Sequence, residues 1–269
     1  MLRQRYSLEI AFLLIVIAVS LIGFSSLVRG EQGALTGYHV LHIITSLAWL
    51  LLLLGQLVLI RQHRFDRHRA IGKYIMVAGP IVIASVSLLT VHSAAREAAA
   101  GTVDDLVVQN VTFTLELALL VLLAFVLRRN RPVHGALLMS TALMFLVIAL
   151  FFTFISYVPG YRIEGPETFD RFAKSGQTSA LIGSVIGLLF FLRNVRMGWP
   201  WILVSMFFLL NGYLQMVVDR SGRTQPLTVL VGSIGELPAF GLGLTVFVGL
   251  LWMALKRGPT QRRAEREAV

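Results

Sequence analysis

Eight long apolar stretches, joined by short polar loops, dominate this chain of 269 residues. They cover about 8–28, 38–60, 74–95, 106–128, 136–158, 177–193, 198–219 and 227–255. A helix needs about 20 mostly apolar residues to cross the hydrocarbon core of a bilayer. Lipid offers the backbone no hydrogen-bond partner, so every span must satisfy its own amides as an α-helix. The expected fold is an all-α polytopic bundle of eight transmembrane helices in one domain, 1–255, followed by a basic tail, 256–269, that reads as disordered. The first span follows Met1–Arg5, and its apolar run is too long for a signal-peptide core, so it reads as an uncleaved anchor. Composition excludes a soluble enzyme, because only 14% of residues are charged, against about 25% in soluble domains. Cys is absent, which removes disulfides, thiolate metal sites and Cys nucleophiles.

The Lys and Arg residues set the expected orientation. With the N-terminus inside, 17 of them fall in the termini and in the loops around Arg61–Lys73, Arg128–Arg131 and Arg193–Arg196, and 7 fall on the other side. This predicts a bacterial inner-membrane protein with both termini cytoplasmic. It also accounts for the net charge of +10. The expected partners of these loops are anionic lipid head groups rather than nucleic acid.

Three stretches carry a resemblance. The second span holds His42, Trp49 and Gln56; the loop after it reads His68-Arg69-Ala70-Ile71-Gly72; the loop after the fourth span reads His134-Gly135-Ala136-Leu137-Leu138-Met139. Over about residues 38–150 the chain resembles an uncharacterised family of bacterial multi-spanning inner-membrane proteins with His-Arg-x-x-Gly and His…Leu-Met basic loops. That family implies a polytopic inner-membrane protein and brings no activity with it. The hairpin of spans two and three and that of spans four and five also echo one another, each with an Arg-rich loop and a His before the returning helix.

Ionisable and amide groups at membrane depth are costly, so they mark candidate sites. His39, His42 and His92 lie near the outer ends of spans two and three; Gln109 is shallow and Glu116 central in span four; Asn211 is central in span seven, with Gln215 beyond it; Glu236 lies about ten residues into span eight. Helical spacing puts His39, His42, Ser46, Trp49 and Gln56 on one stripe, Gln109 and Glu116 on another, and Asn211, Gln215 and Asp219 on a third. Span eight carries Gly232, Gly235, Pro238, Gly241 and Gly243 around Glu236, which predicts either a kinked or a broken helix.

Three functions follow as expectations. The first is a redox or proton-transfer protein holding haem b or a divalent transition metal in an outer polar pocket. Its cofactor-binding residues would be His42 and His92, with His68 and His134 as a second, inner pair, and its metal set would be His39, His42, His92 and Glu116. The second is a proton-coupled small-solute transporter whose pathway holds Glu116, Glu236, Gln109, Asn211 and Gln215. The third is a membrane-embedded metal-dependent hydrolase with Glu116 as general base. The outer-pocket reading further expects the imidazoles of His42 and His92 to meet, with Glu116 or Gln109 behind them.

Overall fold

The computed structural model describes residues 6–30 and 35–267, with side chains to residue 256; Arg3, Arg5, residues 31–34, residues 268–269 and the side chains of the basic tail lie outside the description. Its helices are α1 (Ser7–Val28), α2 (Gly37–Arg61), α3 (Phe65–Ala99), α4 (Val107–Val126), α5 (Arg131–Tyr157), α6 (Asp170–Arg193), α7 (Trp199–Arg220), α8 (Thr224–Gly232) and α9 (Glu236–Glu267). No strand occurs among the described residues. Eight of these helices are long and apolar enough to cross a membrane. The protein is an all-α, multi-pass membrane bundle.

Two helices make its centre. The apolar windows of α3 and α5 are 61% and 67% buried, whereas no other span exceeds 44%. Around α5 stand α1, α4, α6 and α7; around α3 stand α2, α4, α8 and α9. Small residues let these helices close up, as in other membrane bundles. A Cβ on Gly23 would lie 2.4 Å from the Ala149 carbonyl oxygen, so α1 meets α5 backbone to backbone.

Both central helices start earlier than the apolar pattern suggests. α3 begins at Phe65 rather than near residue 74, and α5 at Arg131 rather than 136. The apolar run marks only the part inside lipid, while the Arg- and His-bearing turns below it remain helical in the head-group region. Asn130 supports the early start of α5, its side chain accepting from Val133 N at 3.4 Å. His68 and His134, expected in loops, therefore sit in the first turns of α3 and α5. The last helix likewise continues to Glu267, through most of the tail expected to be disordered.

Span eight is broken. α8 ends at Gly232, and α9 starts at Glu236. Gly235 between them has φ +80°, a conformation that costs glycine little and other residues more. Pro238 falls in the first turn of α9, where a missing N–H removes no helical bond. Both halves press on α3. A Cβ at Gly232 would come within 2.8 Å of the Ala95 backbone, and one at Gly243 within 2.9 Å of Ser87 Oγ. The break is thereby held opposite the stretch of α3 that contains His92.

Candidate functional site

Three polar stations stand out in the bundle. The first is at the break. Glu236 occupies the first turn of α9, where the helix dipole favours a negative charge. Its Oε1 lies 3.3 Å from His92 Nδ1. His92 is further enclosed by the rings of Tyr38 and His39, with centroids at 4.7 and 5.9 Å. His39 in turn caps α2, its Nδ1 lying 2.7 Å from Thr36 Oγ1. The other nitrogen of His92, Nε2, is buried and has no protein partner. A carboxylate and an imidazole in hydrogen-bond reach, beside unwound backbone, can pass one proton between them and offer a second nitrogen to a ligand or water.

The second station is Glu116 on α4, 7% exposed. Asn211 Nδ2 on α7 donates to its Oε2 at 3.0 Å. The third lies at the face that bears the Arg-rich loops. In the orientation that satisfies both ends of its amide, Gln56 donates from nitrogen to the His68 carbonyl at 3.1 Å and to His68 Nδ1, while its oxygen accepts from Gly72 N at 3.2 Å. His134 Nδ1 donates to the Ala124 carbonyl at 2.7 Å. Both imidazoles line one cavity of about 140 Å³. Gln56, His68, Gly72, His134 and Met139 thus line one cavity, whereas His42 lines another.

The expected outer metal pocket does not assemble. His92 takes His39 and Glu236 as partners rather than His42. His42 lies between Ser85 Oγ, 3.4 Å from Nδ1, and Ser46 Oγ, 3.5 Å from Nε2. The two helices are antiparallel, so with His39 beside His92 the next turn of α2 lies deeper along α3, where His42 meets Ser85. Glu116 goes to Asn211, and no hydrogen bond joins Gln109 to any of these groups. Gln215 turns to Asp219, donating to its oxygens at 2.9 and 3.1 Å, away from Glu116. Among the described residues, no three or more His, Asp or Glu side chains are grouped to hold a metal ion.

Some partners were not anticipated from sequence. Ser85 lies seven residues before His92, on the same face of α3, and that spacing was an available signal. Tyr38 is next to His39. Trp49 Nε1 donates to Thr141 Oγ1 at 3.0 Å across α2 and α5, and no local pattern announces it.

No family model, curated protein or solved structure matches the chain. The reading of these stations rests on their own chemistry.

Outside the spans, the loop between α3 and α4 carries Asp104, 4% exposed. Its backbone N–H donates to Thr228 Oγ1 of α8 at 3.2 Å, and its Oδ1 accepts from Leu106 N at 2.9 Å. Burial, the largest influence, pushes the Asp104 carboxyl above its ordinary value. The folded protein then binds the proton more tightly than the unfolded chain. Asp104 therefore costs stability progressively as pH rises from the ordinary Asp value through the raised one, and the cost is constant above that. Asp104→Asn keeps the acceptor and removes the charge. It is expected to raise the thermal unfolding temperature at neutral pH and to leave it unchanged at pH below the ordinary Asp value.

Proposed function

We propose that this protein is a proton-coupled carrier of a small solute, with His92 and Glu236 as the proton-exchanging pair and Glu116 as a second protonatable station. The observation that carries this reading is the break in span eight, with a carboxylate at its edge bonded to a histidine of the central helix. Interrupted helices recur at the binding sites of secondary transporters, because unwound backbone and half-helix ends offer polar groups at membrane depth. A carboxyl at that depth is expensive, and as packing material it has cheaper substitutes. The Arg-rich loops support a bacterial inner membrane with both termini in the cytoplasm and with anionic lipids against those loops. In that orientation the His92–Glu236 pair belongs to the periplasmic half.

The test uses the purified full chain in proteoliposomes loaded with a pH-sensitive dye. Amino acids, sugars, amines and organic acids are added singly, and proton movement is read from the dye. At least one class should move protons with the wild-type protein, and Glu236→Gln and His92→Gln should each abolish that movement while the protein still inserts and folds. No solute-dependent proton movement in the wild type, or unchanged movement in both variants, would contradict the reading.

A further inference from the structure

Besides the break, the bundle holds two cavities strung along α2. The first, about 300 Å³, lies between α1, α2 and α5, and its wall includes Arg29, His42, Ser46, Leu50 and Phe145. The second is the cavity of about 140 Å³ at the opposite end, walled by Leu53, Gln56, His68, Arg69 and His134. Leu50 walls one and Leu53 the other. These residues are three positions apart, so the cavities approach within about 4.5 Å of rise along α2. Both leucines are buried, at 1% and 3% exposure. The Trp49–Thr141 bond ties α2 to α5 beside them. Buried side chains along α2 separate the two cavities.

The two walls share one chemistry. Each is mainly apolar, each carries an Arg and one or two imidazoles, and neither contains an Asp or Glu. Arg69 stands at the rim of the second, 76% exposed, and pairs at 2.6 Å with Asp66, which is outside the wall. Arg29 at the first mouth is held by the Tyr157 hydroxyl. Such walls repel a cationic solute, solvate an apolar body and attract one negative charge. The smaller cavity has the liquid volume of about five waters, which limits the body to a few heavy atoms.

We propose that the transported solute is a small monocarboxylate with an apolar body, and that it passes along the α2–α5 seam between these cavities. This rests on the carrier reading above, since it names the substrate of that carrier. Arg29 and His42 take the carboxylate in the first cavity; His68 and Arg69 take it in the second; displacement of Leu50 and Leu53 joins the two.

The test is binding by the full chain in phosphatidylcholine nanodiscs. Butyrate, butylamine and butanol are compared by saturation-transfer difference NMR, with empty nanodiscs as the blank. Butyrate should bind saturably, and the amine and alcohol should not. His42→Gln should weaken butyrate binding about tenfold, the scale of one charge-assisted hydrogen bond. Arg29→Gln, at an exposed position, should weaken it similarly. Equal binding of butylamine or butanol, or butyrate affinity unchanged in both variants, would overturn the proposal. The two readings fail separately. Butyrate binding without any solute-driven proton movement would sink proton coupling and leave the site standing. Proton movement driven by other solutes, without butyrate binding, would sink this proposal alone.

Discussion

Trp49→Ala should be the most destabilising single substitution in the bundle, by about 3–5 kcal/mol. Trp49 is fully buried. It wedges between the central helices, against Gly79 of α3 on one side and bonded to Thr141 of α5 on the other. Alanine would leave a void the size of an indole, and the glycine opposite has no side chain to fill it. The hydrogen bond is the smaller share, since interhelical bonds in membranes average about 0.6 kcal/mol and reach about 1.7. Trp49→Phe, which keeps most of the ring, should cost only about 1 kcal/mol. Unfolding of the three proteins in mixed micelles measures both differences. If Trp49→Ala cost no more than Trp49→Phe, α2 would not be wedged in this way.

Asn211→Ala is the second large expectation. It removes the one hydrogen-bond donor shown to reach the buried Glu116 carboxyl, and stranding a buried acceptor costs about 1–3 kcal/mol. Replacing both partners by leucine should recover most of that loss, because removing two matched polar groups is close to neutral. The double variant also separates strut from station. A bundle as stable as wild type but without solute-driven proton movement would mean that Glu116 serves transport. Stability and proton movement both intact would reduce the Glu116–Asn211 pair to packing.

The spans were legible because lipid imposes a length and a composition that no soluble segment shares. Their ends were less so: the first turns of α3 and α5 carry His68 and His134 in polar sequence that hydropathy reads as loop. Gly235 and Pro238 marked the irregularity in span eight, but choosing between a kink and a break requires knowing where Gly232 and Gly243 press on α3. The α2 stripe correctly grouped His39, His42, Ser46, Trp49 and Gln56 on one side of the helix. It could not supply the register between α2 and α3, and that register decides whether His39 or His42 meets His92. Glu116 and Asn211 were both singled out, at similar depth on different helices, yet their pairing depends on how α4 and α7 pack. Gln215 was drawn to Asp219, four residues along its own helix, a local competitor visible in the sequence.

The central claim is that Glu236 and His92 exchange a proton at the break in span eight. Infrared difference spectroscopy of the purified protein in nanodiscs, cycled between acid and neutral pH, measures this directly. The carboxyl difference band should contain a component that is lost from the wild-type spectrum in Glu236→Gln and shifted in His92→Gln. Difference spectra of both variants identical to that of the wild type would contradict the account.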